Sequence, residues 1–448
     1  MAEVDAVRAR ADHAGPVTRA SLAGDLRALG LAQGDTVLVH TSMSALGWVC
    51  GGSVTVVDAL LEVLGPAGTL VMPTFTSDLS EPSYWRNPPV PQSWWPVIRQ
   101  EMPAFEPALT PGRYLGAVSE TLRTWPGAVR GPHPQMSFAA LGPRAAEIVA
   151  PHSVGVDLGE GSPLARLYDM GAQVLLLGVG HANNSSLHLA ENRASWPGKT
   201  TIEQGSAVRV SGLRRWVTWQ TLDDDTGDFP EVGEVVDAAS IVTIGLVGSA
   251  ESRLMPVREL VDVATVEITR RRSLPPPAPA PPAPAATIAP LRTEQRDAAR
   301  AVFNHWITTS TATFHETALS AEEFALEVAD QPDHRHGCFG ISVGGALAGY
   351  VVIAPFKGRC AYRNTAEVSV YLAAQHTGQG LGRQAVEYAI AHARTAGLHL
   401  LLAVICTENE GSMALFRSAG FDETGRLREV GRKFGRLLDV AYLQRVLD

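Results

Sequence analysis

The chain has 448 residues, 45% of them hydrophobic and 19% charged, with a formal net charge of −9. A single hydrophobic core stops growing near roughly 250 to 300 residues, so two domains are expected, and so ordinary a composition excludes intrinsic disorder. The acidic balance argues against general affinity for nucleic acid, and no apolar run reaches the roughly 20 residues that a membrane span needs.

The first 19 residues mix acids and bases without the apolar stretch of a secretory signal, which predicts a cytoplasmic protein. Cys50, Cys338, Cys360 and Cys406 stand far apart with no metal or redox spacing, so neither a disulfide framework nor a metal site is expected. The acidity also suits a polycationic small substrate.

A helix is predicted from Thr18, then a buried strand over residues 36–40. The loop TSMSALGWVCGG follows, carrying Ser42, Ser44, Ala45, Leu46 and Gly47 into a helix over 54–64. Hydroxyls and glycines at a helix N-terminus make an anion cradle. A capped strand-to-helix turn explains the loop equally well. After the apolar segment GTLVMPTFT (68–76) comes an irregular stretch with Asp78, Glu81, Trp85, Trp94 and Trp95, the residue types that could wall a cationic ligand.

The apolar run over 173–178 has the mark of a strand buried on both faces. It delivers the segment GVGHANNSSLHLAE (178–191). With a helix starting at Ser186, His188 and Glu191 fall at i and i+3 on one face, where a carboxylate fixes the imidazole tautomer and stabilises the imidazolium. A surface ion pair has the same spacing. A zinc site lacks the H-E-x-x-H order here, and Ser185 or Ser186 as nucleophile lacks the G-x-S-x-G turn. Further on, Asp223, Asp224 and Asp225 form an acidic run that reads as a solvated loop or a cation-binding edge.

Together with RGPHPQMSFAALG (130–142) and GEGSPLARL (159–167), these segments resemble the aminoglycoside 3-N-acetyltransferase family. The resemblance implies an α/β fold of that family's type, His188 as the catalytic histidine with Glu191 beside it, and the loop from Ser42 to Gly47 as the receiver of the CoA phosphates. Arg130-Gly131 departs from a commoner Arg-Ser and leaves His133, Pro134 and Ser137 intact. Because aminoglycosides carry several ammonium groups, Asp78, Trp85, His133 and Asp225 are the acceptor-side candidates.

Residues 275–284 are seven prolines and three alanines. Such a run prefers polyproline II at about 3.1 Å per residue, a spacer on the order of 30 Å long. Arg270, Arg271 and Arg272 before it read as a solvated domain edge. The expected division is therefore a first domain over 1–272, a linker over 273–290 and a second domain over 291–448. No internal repeat relates the halves, which points to fusion of unrelated domains.

The second half opens with a helix carrying Ala299, Val302, Phe303 and Trp306 at helical spacing. A hairpin over 338–343 and 348–354 follows, then a strand over 366–372 that runs into Gln375, Gly378, Gly380, Leu381 and Gly382 at the start of a helix over 383–395. A Rossmann fingerprint would follow the first strand of a βαβ unit, whereas this loop follows an antiparallel hairpin. A strand over 400–404 and a short helix with Asn409, Ser412 and Phe416 lead to Gly420-Phe421.

That order resembles the GNAT acyltransferase superfamily, with its mixed central sheet. Within it the chain is similar to the phosphinothricin and methionine-sulfoximine acetyltransferases over ITTSTATF (307–314), AGYVVIAPFKGRCAY (348–362), TAEVSVY (365–371) and GRLREVGRKFGRLLDV (425–440). The resemblance implies that the loop from Gln375 to Gly380 holds the CoA pyrophosphate and that Asn409 and Ser412 lie beside the pantetheine. Glu367 matches the carboxylate that takes the proton from the attacking amine; by position alone it is an outward-facing strand glutamate. The aromatic and histidine of that family's K-x-G-x-W-H-D stretch are replaced by Leu437 and Leu438, while Lys433, Gly435 and Asp439 remain, so a more apolar acceptor end is expected.

The resemblances together imply a bifunctional, acetyl-CoA-dependent N-acetyltransferase with one acetyl-CoA per domain. The first domain would modify the 3-amino group of aminoglycosides and the second the amine of a phosphinothricin- or methionine-sulfone-like amino acid. One silent domain, or biosynthetic amines as acceptors, are the alternatives, and a homodimer is compatible with the sequence.

Overall fold

A computed structural model describes residues 15–86, 88–274 and 286–447 and divides the chain into two compact units between Pro276 and Pro277. The proline run over 275–284 lies outside the described residues. Among those described, no helix is long and apolar enough to cross a membrane.

The first unit opens with α1 (Arg19–Leu29), capped by Thr18, whose hydroxyl accepts the Ser21 amide. There follow β1 (Thr36–Thr41), α2 (Gly52–Leu64), β2 (Thr69–Pro73), α3 (Gly116–Arg123), β3 (Val129–Arg130), β4 (Phe138–Leu141), β5 (Gln173–Leu177) and α4 (Ser186–Arg193). A hairpin of β6 (Thr201–Val210) and β7 (Leu213–Leu222) precedes α5 (Phe229–Ala238), β8 (Thr243–Val247), β9 (Ala250–Pro256) and α6 (Val257–Ser273).

The main sheet has the order β3-β4-β2-β1-β5-β9-β8, with β1 parallel to both β2 and β5. Successive side chains of a strand point to opposite faces, and both faces of β1 are apolar because both are covered. Leu38 joins the core under α4, α5 and α6, whereas Val37 and Val39 join the core under α1, α2 and α3. The chain leaves β1 toward β2 on one side, and β5 lies on the other, so the strand order switches between β1 and β5. A crevice opens outside the carboxyl ends of strands at such a point. The β6–β7 hairpin pairs only with itself, and its Ala207 and Trp216 pack on Trp85, Met102 and Phe105.

The second unit contains β10 (Ala286–Pro290), α7 (Arg296–Thr309), β11 (Gly337–Val343), β12 (Ala346–Pro355), β13 (Thr365–Leu372), α8 (Leu381–Thr395), β14 (Leu400–Cys406), α9 (Glu410–Ser418), β15 (Asp422–Lys433) and β16 (Arg436–Val446). The order is β10-β11-β12-β13-β14-β16-β15, antiparallel except for β13 and β14, which gives the expected mixed sheet. One boundary needs correction. Residues 286–290, assigned to the linker from sequence, are β10 and pair antiparallel with β11 from Ala286↔Val343 to Pro290↔Phe339. Their alanines and terminal proline carry little β-propensity, and an edge strand tolerates a proline that a central strand would not.

β13 and β14 share only the pairs Thr365↔Leu400, Ala366↔Leu401 and Glu367↔Leu402. Beyond them β14 stays paired with β16 as far as Cys406, and β13 stays paired with β12 as far as Leu372. The two central strands therefore splay apart from Glu367 onward, which opens a wedge in the sheet.

Candidate active sites

At the switch point of the first unit lies a cavity of about 710 Å³. Its wall takes His40, Thr41 and Ser42 to Ser44 from the end of β1, Met72 and Pro73 from β2, and Asn183, Asn184, Ser185 and His188 from the segment after β5. Tyr114, Gly116 and Ser119 complete it from the approach to α3 and its first turn. The Ser119 hydroxyl is bonded to the Pro73 carbonyl, which ties α3 to the sheet.

His188 Nδ1 stands 3.5 Å from Glu191 Oε2, one helical turn along α4, and 3.8 Å from Asp224 Oδ2. The Phe229 ring meets the imidazole edge-on at 5.1 Å. With Nδ1 turned to the carboxylates, Nε2 is the nitrogen left to accept a proton. Glu191 is fully buried. Burial works to raise its carboxyl pKa, but hydrogen bonds from His188, from Arg272 and from the Asp225 amide outweigh burial and leave it below the usual range. His40 is the opposite case. Its Nε2 accepts the Ser185 amide at 3.3 Å, and burial beside His188 pushes its pKa down to about 3, so it is a neutral member of the wall.

The donor atoms of His188, Glu191 and Asp224 lie within 4.8 Å of one another, a spacing that a metal ion could use. Arg272 Nη1, 2.7 Å from Glu191 Oε1, already supplies the balancing cation. The arrangement is an oriented imidazole with a charge-balanced carboxylate.

Several sequence-based assignments move. Of the CoA-loop candidates, Ser42 and Ser44 line the cavity with their hydroxyls 3.1 Å apart. Leu46 is a buried core residue, and Ala45 packs where a Cβ on Gly178 would collide. Gly47 takes a φ of 86°, and the chain turns back to the core. His133 is not an acceptor contact. It is fully buried, its Nε2 lies 3.1 Å from Asp157 Oδ1, and its Nδ1 accepts two backbone amides. Asp78 pairs with Arg113 at 3.4 Å, Glu81 with Arg99 at 2.6 Å, and Trp85 donates to the Ser80 hydroxyl. Neither Asp78, Trp85 nor Asp225 is in the cavity wall, although the Asp225 amide bonds Glu191 at 2.8 Å. The aromatic side chains of the wall are instead Phe75, Tyr114 and Phe229, and Tyr114 lies in a stretch whose residues show no periodicity.

In the second unit a groove of about 540 Å³ runs past the N-terminus of α8. It is lined by Gly378, Gly380 and Gly382, by Arg383, by Asn409 and Ser412, and by Trp306 with residues Ser310 to Ala312. Gly378 and Gly380 have φ near 73° and 77°, and a Cβ on Gly378 would meet nothing within 4 Å, so the backbone there is open to a ligand. These features fit the phosphates of CoA. Gln375 and Leu381 are outside the groove. The Gln375 carbonyl accepts the Gln379 side chain, and Leu381 is core. Asn409 also caps α9 by accepting the Ser412 amide.

A second cavity, about 450 Å³, occupies the wedge between β13 and β14 and shares Thr311, Ala312 and Tyr371 with the groove. Glu367 faces it beside Ser369, Tyr371, Val404 and Cys406. Burial raises the Glu367 carboxyl, and burial next to Glu367 lifts the Tyr371 phenol to about 12. Leu437 and Leu438 do not line this cavity. Leu437 is exposed and Leu438 is core, so the expected apolar acceptor end does not arise from them. Lys433 is buried, with its ammonium 2.9 Å from the Ser310 carbonyl and 2.6 Å from that of Thr313.

Residues 38–268 match the family model of aminoglycoside 3-N-acetyltransferases, and residues 300–421 match that of the GNAT acetyltransferases. Over 250 residues the chain is 42% identical to the SPbeta prophage-derived aminoglycoside N(3')-acetyltransferase-like protein YokD of Bacillus subtilis, covering 56% of this chain and 91% of that protein. Over 264 residues it is 42% identical to aminoglycoside N(3)-acetyltransferase VII of Streptomyces paromomycinus, covering 55% and 90%. Among solved structures it is similar to aminoglycoside acetyltransferase AAC(3)-Xa, with 38% identity, a TM-score of 0.57, and coverage of 60% of this chain and 98% of that one. The binary complex of AAC-IIIb with CoASH gives 31% identity, a TM-score of 0.53 and coverage of 59% and 100%. AAC-VIa bound to sisomicin gives 32%, 0.53, 58% and 100%.

Proposed function

Because the chain belongs to the aminoglycoside 3-N-acetyltransferase family, we propose that its first unit transfers acetyl to the 3-amino group of aminoglycosides with His188 as general base. The chain is an acetyl-CoA-dependent N-acetyltransferase, and its second unit is a GNAT acetyltransferase. For that second unit we propose the amine of a phosphinothricin- or methionine-sulfone-like amino acid as acceptor, with Glu367 as its base.

Acetyl-CoA, one per unit, supplies the acetyl group as a thioester. An ammonium has no lone pair, so each site must first hold a free amine. In the first unit His188 Nε2 takes the proton as the amine nitrogen bonds to the acetyl carbon, and Glu191 stabilises the imidazolium that results. The carbon–sulfur bond breaks and the thiol leaves with a proton. Neutral His40 does not compete for protons, and Ser42, Ser44 and the backbone near Gly116 offer donors to the cofactor. In the second unit Glu367 takes the proton in the wedge, while Gly378, Gly380, Gly382 and Asn409 hold the cofactor in the adjoining groove.

The observation that carries the reading is the fully buried Glu191 facing His188 at the wall of the cavity. The test is an acceptor screen by mass spectrometry with acetyl-CoA. Sisomicin should gain one acetyl on its 3-amino group, and methionine sulfone or phosphinothricin one on its amine. Acetylation at another aminoglycoside position, or none, would overturn the first assignment, and rejection of both amino acids the second.

A further inference from the structure

Arg272 closes α6, where the sequence alone suggests a solvated edge shared with Arg270 and Arg271. Arg270 is exposed and pairs along the helix with Glu267 at 2.6 Å. Arg272 is different, with only 12% of its side chain exposed. Its Nε and Nη2 engage Asp228 at 3.0 and 2.7 Å, its Nη1 engages Glu191 Oε1 at 2.7 Å, and its Nη2 also reaches the Asp225 carbonyl at 2.5 Å. The guanidinium lies 4.7 Å from the centre of the Trp196 ring. So full a set of partners for one planar fork on the last turn of a helix is not an edge.

We propose that Arg272 is a positioning residue for acetyl transfer in the first unit, aiming the Glu191 carboxylate at His188 and fixing the loop that packs on the imidazole. The inference rests on the His188–Glu191 reading of that site. Oε1 of Glu191 is taken twice, by Arg272 and by the Asp225 amide, whereas Oε2, with no other hydrogen-bond partner among the described residues, faces Nδ1 of His188 at 3.5 Å. Two donors on one oxygen therefore set the direction of the other. The same guanidinium holds Asp225 and Asp228, the immediate neighbours of Asp224, which stands 3.8 Å from His188, and of Phe229, which packs against its ring. One side chain thus ties α6 to α4 and to the loop before α5.

The electrostatics follow from the same contacts. Around His188 stand Glu191, Asp224 and neutral His40; around Glu191 stand His188, Arg272 and Lys199, whose ammonium bonds the Glu191 carbonyl at 3.0 Å. Removing the Arg272 charge makes the surroundings of the coupled pair more negative by one charge. Whichever group carries the proton, the pair then holds it to higher pH. The acid limb of turnover should move upward.

The experiment uses the full chain with Arg272→Gln, Arg272→Lys and Asp228→Asn, assayed with sisomicin. Gln should lower kcat by about ten- to a hundredfold, since misplacement by an ångström costs rates of that order, with little change in KM. Its acid limb should move up by about one pH unit. Lys should restore the limb but not kcat, because an ammonium cannot span Glu191 and Asp228 as a fork does. Asp228→Asn keeps the cation, loosens the clamp and removes one negative charge, so kcat should fall while the limb does not rise, and this variant carries the test if the Gln protein does not fold. Wild-type kcat in the Gln or Asn variant, or a fall in kcat with an unmoved limb in the Gln variant, would overturn the proposal. The reading it rests on is checked separately by His188→Ala: sisomicin turnover that survives that change sinks the base assignment, whatever the Arg272 variants do.

Discussion

Lys433→Met removes the buried cation that fastens residues 310–313 to β15, and its effect can be estimated from the contacts. The ammonium makes two hydrogen bonds to carbonyls, at 2.9 and 2.6 Å, and the residue is 2% exposed. Hydrogen bonds to a charged group contribute about 1.5 to 3 kcal/mol each, a gross loss of about 3 to 6 kcal/mol. Methionine fills a similar volume and lifts the cost of burying an ammonium, which returns part of that sum. A net destabilisation of about 2 to 4 kcal/mol is expected. With a urea slope of about 2 kcal/mol per molar, the midpoint of urea inactivation of the second site should fall by about 1 to 2 M. The assay is thiol release from acetyl-CoA with methionine sulfone across a urea series. Because Thr311 and Ala312 wall both the groove and the acceptor cavity, KM for acetyl-CoA and for acceptor should rise together. An unmoved midpoint with unchanged KM values would show that the segment is held by other contacts.

Further outcomes follow from single residues. Glu367→Gln should cut turnover at the second site by about 10² to 10⁴, with partial recovery in alkali where free amine is abundant; an unaltered pH profile would remove Glu367 as base. Since burial raises its carboxyl pKa, Glu367 favours the fold when protonated, and that contribution is lost as pH rises through the raised value. The Gln variant should therefore be the more stable protein at neutral pH in thermal unfolding. His40, held near 3 against an ordinary 6.5, binds a proton more readily when unfolded, so the first unit should lose stability as pH falls below about 6.5. Replacing His40 by Leu should flatten that slope, and an equally steep slope would assign the acid sensitivity to other groups such as His152. Leu437→Ser should leave the ratio of phosphinothricin to methionine sulfone turnover unchanged, because Leu437 is exposed and outside the cavity.

What was legible in sequence was the local and the periodic. Residues 173–178 read as a strand because a run buried on both faces is continuously apolar, and a helix from Ser186 puts His188 and Glu191 at i and i+3, the spacing that α4 has. The glycine loop before α8 was legible because positive φ leaves glycine as its mark. What was not legible depended on distant segments meeting. Nothing near Arg272 tells that it reaches Glu191, 81 positions earlier, so its charge read as solvent-facing. His133 sits in a polar segment yet spends both ring nitrogens inside the fold. The family's pattern points Leu437 and Leu438 to an acceptor end, whereas consecutive side chains of β16 face opposite sides, so one goes to solvent and one to the core. Tyr114 was missed because a left-handed φ of 61° in an irregular stretch leaves no pattern in the residues around it.

The central claim is that one chain carries two chemically separate acetyl-transfer sites, the first driven by His188. Its most direct test is to follow both reactions in the full-length His188→Ala protein, with sisomicin and with methionine sulfone, while measuring CoA binding. Sisomicin turnover should fall by about 10² to 10⁴, as removal of a general base requires, with CoA binding and methionine sulfone turnover unchanged. Sisomicin turnover at the wild-type rate, or an equal fall in both reactions, would contradict the account.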